Sequence, residues 1–291
     1  MAHSLSPDKR KQPVSMLDED MYQYPEHLKL ELAALPAKPG VYIFHGTSKT
    51  MPLYIGKSVN IRSRVMSHFR NKNEAKLLHL TTHIKHIEMA GELGALLTEA
   101  RLIKEQKPLF NKRLRHAKQL CSLSLQPRGV EIVYAGDTHF SHKAQLFGLF
   151  SNKSSALETL RAVADQQRLC YGVLGLERLA QGRSCFRYSL KRCAGACCGK
   201  ESLEEHQLRL EQAMESIRVQ CWPYDGKIAV EESCDGFTQY HIINNWFYLG
   251  SVENLQEAKS MHSTAACFDR DGYKILCKPL LSGAFKVIAL D

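Results

Sequence analysis

The apolar and polar positions of the first structured part of the chain predict a helix and a β-hairpin. HLKLELAAL (27–35) has helical spacing and ends at Pro36. Two apolar runs, GVYIFHG (40–46) and PLYIG (52–56), have the length and the aromatic and β-branched content of strands. The polar stretch TSKTM joins them, so the two strands are expected to pair as a hairpin.

A helix is predicted directly after the hairpin. Asn60 is a good capping residue, and three apolar residues follow it at intervals of four, which places them on one buried stripe. They are Ile61, Val65 and Phe69. Arg64 and His68 are also four apart and share another face of this helix.

A longer helix is predicted for residues 92–106, ahead of Pro108. Its apolar residues recur at the spacing of a buried helix face. They are Leu93, Leu96, Leu97, Ala100 and Ile103. Glu99 and Arg101 lie off that stripe and are expected outside the apolar contact.

The rest of the chain predicts a mixture of strands and helices. LCSLSL and VEIVYAG are strand-like, and SSALETLRAVADQQ has the pattern of an amphipathic helix. Ser202 and Glu205 form a capping box for a helix of residues 203–220. Near the C-terminus, QYHIINNWFYLG, YKILCKPLL and FKVIAL are strand-like, with one helix predicted near 253–262.

The positive charge of the chain is concentrated in one segment. The formal net charge is +9, and residues 28–119 hold 17 basic and 6 acidic side chains, a net of +11. Residues 120–291 hold 19 of each sign. Clustered lysine and arginine attract polyanions, so this pattern favours a nucleic acid as partner, the alternative being a basic surface without a function.

The ten cysteines are unevenly spaced, and no stretch resembles a signal peptide or a membrane span. In a reducing compartment this favours free thiols and one metal site over a set of disulfides. A soluble, cytoplasmic protein that does not bind membranes is therefore expected.

The basic segment also contains an ordered set of motifs. GVY (40–42) precedes YIGK (54–57), an arginine follows Lys57 by seven residues, and EARLIKEQKPLFN (99–111) comes after them. In this order and spacing the set resembles the GIY-YIG nuclease superfamily. The resemblance implies an α+β domain with a small antiparallel sheet and flanking helices, and an endodeoxyribonuclease that hydrolyses phosphodiester bonds.

The residue types in this set suit that chemistry. Glu99 is a natural ligand for a hard divalent cation such as Mg²⁺ or Mn²⁺, and Lys57 and Arg64 can stabilise the charge of the transition state. The resemblance implies that Tyr42 or Tyr54 acts as the general base.

Two further residues belong to the predicted site. The resemblance implies that Asn111 supports the site from the end of the long helix. His68 stands where many relatives have a tyrosine. It can bind a phosphate or take part in proton transfer, or it can be a solvated helix residue.

The part of the chain beyond the nuclease motifs resembles the UvrC family, which makes the incisions of bacterial nucleotide excision repair. The stretch 146–170 is similar to the UvrC segment that leads to its cysteines. Four cysteines follow the spacing C-x14-C-x7-C-x3-C, and the resemblance implies that they hold an iron–sulfur cluster; zinc, or four unligated cysteines, is the alternative. They are Cys170, Cys185, Cys193 and Cys197.

The chain is expected to be a short UvrC relative with one nuclease site, because no second carboxylate set and no paired glycines of helix-hairpin-helix repeats follow residue 200. The resemblance implies a monomer that makes a single incision 3′ of a bulky lesion, in damaged double-stranded DNA on which UvrA has loaded UvrB. It also implies expression under DNA-damage control. The alternatives are a UvrB-independent, structure-specific GIY-YIG endonuclease and a non-catalytic DNA-binding adaptor.

The predicted organisation has five parts. They are a flexible tail (1–26), the nuclease domain (27–115), a UvrC-like linking region (116–169), a cysteine-rich region (170–222) and a small α+β unit (223–291).

Overall fold

In the computed structural model, the described residues are 25–48, 50–111, 119–126, 129–179, 183–261 and 268–290. They form three antiparallel sheets with helices packed against them. The predicted α+β class is confirmed. Most of the predicted N-terminal tail lies outside the described residues.

The first sheet contains the predicted hairpin and one further strand, in the order β2-β1-β3. Its elements are β1 (Gly40–His45), β2 (Tyr54–Ser58) and β3 (His83–Glu88), with α1 (Lys29–Ala34), α2 (Ile61–Phe69), α3 (Ala75–Leu80) and α4 (Glu92–Gln106). The hairpin, the Asn60 cap of α2 and the bounds of α4 are confirmed.

Helices cover both faces of this sheet because side chains of β1 point alternately to opposite sides. Tyr42 and Phe44 pack toward α2, whose predicted stripe is fully buried. Val41 and Ile43 pack on the other side, against the C-terminal half of α4. Strand β2 lies at an edge of the sheet, so its outer backbone groups are available to other partners.

The second sheet has the order β5-β4-β6. Its elements are β4 (Cys121–Gln126), β5 (Gly129–Tyr134) and β6 (Leu146–Phe150), followed by α5 (Lys153–Gln166), α6 (Phe186–Ser189) and α7 (Leu203–Met214). The capping box of Ser202 and Glu205 is confirmed. The prediction that α7 extends to residue 220 is wrong, because the chain tightens into a 3₁₀ turn at Glu215–Ile217.

The third sheet has the order β10-β7-β8-β9. Its elements are β7 (Lys227–Cys234), β8 (Phe237–Asn244), β9 (Phe247–Val252) and β10 (Lys286–Leu290), with α8 (Leu255–Ser260) and α9 (Arg270–Leu281). We call these six elements the C-terminal unit. The predicted strand YKILCKPLL is wrong: it belongs to α9, which Asp269 caps and which buries Gly272, Leu276 and Leu280 at intervals of four.

No helix within the described ranges is long and apolar enough to cross a membrane.

Candidate active site

The predicted site residues gather around the free edge of β2. The side chain of Asn111 pairs with the backbone of Ile55 as a further strand would, since its Oδ1 accepts from the Ile55 N–H at 2.9 Å and its Nδ2 donates to the Ile55 carbonyl at 2.8 Å. Two residues along, the Lys57 N–H donates to Oε1 of Glu99 at 3.1 Å. The edge of β2 thereby fixes two predicted site residues that come from α4 and the segment after it.

A chain of hydrogen bonds runs behind this edge. The Tyr42 hydroxyl lies 2.7 Å from Nε2 of His68, and Nδ1 of His68 is hydrogen-bonded to Oε2 of Glu74. Because a carboxylate can only accept, Nδ1 of the imidazole carries the proton, and Nε2 accepts from Tyr42 when the ring is neutral. Burial lowers the pKa of His68, although the Glu74 carboxylate opposes this shift, so the neutral ring is favoured.

Tyr42 and Tyr54 lie on neighbouring strands, with their ring centroids 6.2 Å apart. Tyr42 is 1% exposed, whereas Tyr54 is only partly buried and reaches the solvent side of the site. Burial raises the pKa of both phenols, and the Glu99 carboxylate raises them further, while Arg64 acts in the opposite direction. Both tyrosines are therefore neutral phenols in this state, and Tyr54 is the one that solvent can reach.

The two predicted cationic residues differ in their surroundings. Arg64 is exposed on α2 and lies near the hydroxyls of both tyrosines. The ammonium of Lys57 donates to Glu92 at 2.6 Å, in a pair exposed to solvent. Exposed pairs of this kind contribute little to stability, so Lys57 can exchange Glu92 for a phosphate at little cost.

Glu99 fits the predicted role of a cation ligand. Burial raises the pKa of its carboxyl, against the lowering effects of the Lys57 N–H, the Lys57 charge and Arg64. Only Oε1 accepts a hydrogen bond from the described residues, which leaves Oε2 for a ligand. A divalent cation would therefore find a partly buried carboxylate with one oxygen to bind it.

Gly56 is required by the close approach of the tyrosines. A Cβ at this position would lie 2.3 Å from the Tyr42 hydroxyl oxygen and 2.9 Å from Cε1 of Tyr54. Both distances are far inside van der Waals contact. The glycine of the YIG motif thus makes room for the two rings.

The structure brings the seven predicted catalytic residues together, although their chemical roles stay predictions. The alternative that His68 is a solvated helix residue is wrong, because its side chain is 3% exposed. Glu74 was missed. The sequence contains one indication of its position: Asn71 and Glu74 are spaced like a capping box, and Asn71 caps a short turn here and donates to Oε1 of Glu74.

The four predicted cysteines converge at a second place. Their sulfur atoms lie within 4.8 Å of one another, although the residues come from separate loops and short turns. Backbone N–H groups of Cys185 and Gly195 donate to the sulfurs of Cys197 and Cys193, both at 3.3 Å. Such donors stabilise thiolates, and four converging sulfurs fit a metal ion or a cluster.

Burial opposes the charged thiolate form at two of the four cysteines. Burial raises the pKa of the Cys170 thiol to about 11 and raises that of Cys193 as well. A bound cation reverses this effect, because it stabilises the thiolates directly. Residues 193–197 do not form a helix, since Gly195 has a positive φ of 104°, and Cys198 is exposed and lies outside the group of four.

Comparison with known proteins defines the class of this site. Residues 38–112 match the model of the UvrC-like GIY-YIG domain, so the class is that of UvrC-like GIY-YIG nucleases. Residues 120–216 match the UvrC/Cho excinuclease middle domain, and residues 227–291 match the excinuclease Cho C-terminal domain.

Individual relatives agree with these matches. The chain is 60% identical to excinuclease cho of Escherichia coli K12 over 93% of its own length and 92% of the relative's. It is 58% identical to that of Salmonella typhimurium LT2, over 93% of this chain and 92% of that protein. The chain belongs to the Cho excinucleases, a family of UvrC-like DNA-repair nucleases.

More distant proteins match over parts of the chain. UvrABC system protein C of Bacteroides thetaiotaomicron is 29% identical over 66% of this chain and 33% of that protein. The magnesium-bound GIY-YIG N-terminal endonuclease domain of UvrC from Thermotoga maritima is 30% identical, covering 30% of this chain and 97% of the solved one, with a TM-score of 0.27.

Proposed function

We propose that this nuclease makes one metal-dependent incision on the 3′ side of a bulky lesion, in double-stranded DNA on which UvrA has loaded UvrB. The observation that carries the proposal is the convergence of the predicted catalytic set at the free edge of β2. Within the described residues it is a single set, which suits a single phosphodiester per binding event. The protein is proposed to act in the cytoplasm as a monomer.

In the proposed mechanism, Tyr54 meets the attacking water because it is the tyrosine that solvent reaches. The water gives a proton to the Tyr54 oxygen as Tyr54 gives its own proton to Tyr42, and Tyr42 passes its proton to Nε2 of His68. The oxygen of the water bonds to phosphorus as the bond from phosphorus to one sugar oxygen breaks, and this leaving oxygen takes a proton from solvent. No free phenolate is needed, so the raised pKa values of the tyrosines are no obstacle. The imidazolium that forms is stabilised by Glu74, in the manner of a carboxylate beside a catalytic histidine.

The charged residues act on the phosphate. The exposed guanidinium of Arg64 can bind two phosphoryl oxygens, and Lys57 can leave Glu92 to add a further positive charge. A divalent cation held by Glu99 would polarise the phosphoryl group and neutralise its growing charge. Asn111 acts indirectly, because its contacts keep β2 in place.

A nicking assay tests the proposal. A duplex with one bulky lesion is incubated with the protein and a divalent cation, with UvrA and UvrB each added or omitted, and the cut is mapped on both strands. We expect one 3′ nick that needs both partners. Glu99→Gln and Arg64→Ala should reduce its rate at least about 100-fold. Glu105→Gln is the matched control, because this exposed residue of α4 pairs with Arg101 and lies outside the predicted catalytic set.

Other outcomes would identify a different function. Nicking of undamaged, branched DNA without UvrB would make the protein a structure-specific endonuclease. Salt-sensitive DNA binding with no nicking under any metal condition would make it an adaptor. Full activity of both Glu99→Gln and Arg64→Ala would show that the proposed active site is wrong.

For the four cysteines we propose an iron–sulfur cluster, with zinc as the alternative occupant. The proposal rests on the convergence of the sulfurs and on the resemblance of their spacing to that of the UvrC family. Residues 170–200 contain 6 basic residues and one acidic residue, so a structural site beside the DNA is the proposed role.

A further inference from the structure

Helix α4, which carries Glu99, belongs to two hydrophobic cores at once. Its C-terminal half packs Leu102 and Ile103 against the first sheet. Its N-terminal half buries Leu93 and Leu97 in another core, together with Trp246 and other residues of the C-terminal unit. The first half of α4 therefore packs against the C-terminal unit.

The N-terminus of α4 is also capped from the C-terminal unit. Gly91 precedes the helix and offers no side-chain cap. Instead, Oε1 of Glu232 on β7 accepts from the Leu93 N–H at 3.0 Å, and Oε2 accepts from the Gly94 N–H at 2.9 Å. A carboxylate at this place satisfies backbone donors that the helix cannot satisfy and interacts favourably with the helix dipole.

Glu232 is itself held by a buried histidine. Nε2 of His241 lies 2.9 Å from Oε2 of Glu232, and Nδ1 of His241 lies 2.7 Å from the Ser251 hydroxyl. His241 is 0% exposed. Burial disfavours the charge on Glu232, but the hydrogen bonds from His241 and from α4 outweigh it and lower the pKa of the carboxyl. Glu232 is therefore an ionised, fixed cap.

Two glycines of the nuclease part allow this close contact. A Cβ at Gly91 would lie 2.3 Å from the Glu232 carboxylate, and a Cβ at Gly94 would lie 2.5 Å from Cε1 of His241. Any side chain at either position would push the cap away. The two parts of the chain thus fit each other at the first turn of α4.

The contact continues along the helix past Glu99. The Tyr248 hydroxyl lies 3.1 Å from Oγ1 of Thr98, the residue before Glu99. Nη1 of Arg101 donates to the Leu249 carbonyl at 3.1 Å. Near the end of α4, Lys104 pairs with Asp271 at 2.9 Å. The C-terminal unit therefore holds α4 on both sides of the proposed cation ligand.

We infer that the C-terminal unit is a working part of the nuclease centre, in which Glu232 is a positioning residue that holds α4 and so places Glu99 for the cation. This inference rests on the proposed role of Glu99 as the ligand. It gives the C-terminal unit a function in catalysis at a distance from the reacting atoms.

Mn²⁺ binding to the full chain, followed by electron paramagnetic resonance without DNA, tests the inference. Glu232→Gln keeps the shape but replaces one acceptor by an amide that donates, so one α4 N–H loses its partner. We expect its half-saturating Mn²⁺ concentration, in binding and in nicking, to rise about fivefold, as for a lost helix cap. The nicking rate at saturating Mn²⁺ should change less.

The neighbouring Glu231→Gln is the control, because this residue points to the other side of β7 and pairs with Lys286. It should bind Mn²⁺ like the wild type. Hydrogen exchange gives a second measurement: in Glu232→Gln the amides of the first two turns of α4 should exchange faster, with those of β4–β6 unchanged. Should Glu232→Gln fail to fold, Tyr248→Phe removes only the hydroxyl next to Thr98 and is tested in the same way.

Unchanged Mn²⁺ affinity in a folded Glu232→Gln or Tyr248→Phe variant would overturn the inference. Mn²⁺ binding to Glu99→Gln distinguishes a wrong role for Glu232 from a wrong role for Glu99. If wild-type protein and Glu99→Gln bind Mn²⁺ equally, the metal role of Glu99 is wrong, and the inference is overturned with it.

Discussion

In the proposed mechanism His68 accepts the last proton of the path, which a tyrosine at this position would do less well. A neutral imidazole accepts a proton near neutral pH, whereas a buried phenol resists losing one. Glu74 fixes the ring so that Nε2 faces Tyr42. Sequence motifs could predict Tyr42, Tyr54 and His68. The capping-box spacing of Asn71 and Glu74 indicates only a turn at Glu74, and its contact with His68 is seen only in the folded chain.

Replacing Glu74 by glutamine should slow nicking about 100-fold, the usual size of a general-base contribution. The amide can donate to Nδ1 of His68, which moves the ring proton to Nε2 and blocks acceptance from Tyr42. The single-turnover nicking rate on lesion DNA measures the effect. Glu88→Gln, an exposed residue paired with Lys38, should keep the wild-type rate. Equal rates for the two variants would rule out the path through Glu74.

The pH dependence of nicking should also report His68. Its pKa lies below the ordinary value of about 6.5, so the ring is neutral at pH 7 and becomes protonated only as the pH falls further. The groups facing it are Glu74, Arg64 and the hydroxyl of Tyr42. Activity should therefore be constant around neutral pH and decline on the acid side. In His68→Tyr this acid decline should shift, and an unchanged profile would contradict the assignment.

At the scale of elements, a helix or strand could be predicted from the sequence where its buried residues recur at one clear interval. The hairpin, α2 and α4 have one clear period each, and all three are confirmed. β3 was missed because Ile84 and Ile87 are three apart, a helical interval, and Ile87 is 39% exposed. The sequence predicts a strand in place of α9, because Pro279 and the dense apolar run YKILCKPLL obscure the four-residue interval of its buried face.

The side chain of Asn111 holds the edge strand β2 in place at the site. Asn111→Asp keeps an acceptor for the Ile55 N–H but places a carboxylate against the Ile55 carbonyl, which needs a donor. The free energy of unfolding should fall by about 1–3 kcal/mol, the cost of an unsatisfied polar contact. Urea unfolding measures it. Asn73→Asp, at an exposed position, should stay within about 0.5 kcal/mol of the wild type.

At the scale of the whole molecule, the sequence identified the four cysteines that converge but not the double role of α4. Cysteine spacing is visible along the chain, and ligands must meet at one point, so the set could be predicted. The apolar face of α4 was also visible. Leu93 and Leu97 contact a different core from Ile103. This division depends on how the C-terminal unit packs against α4, and no local sequence pattern predicts that packing.

The cysteine group is joined to α7, because His206 of that helix accepts from the Cys170 N–H at 3.0 Å. Cys193→Ser should therefore lose the bound metal and lower the thermal midpoint of the full chain. Cys198→Ser, next to a predicted ligand but outside the group, should keep both. Iron, acid-labile sulfide and zinc are measured in anaerobically purified protein. Iron with sulfide supports the cluster, zinc alone supports a structural zinc site, and no metal in the wild type leaves four unligated thiols, whose burial alone would then hold this region together.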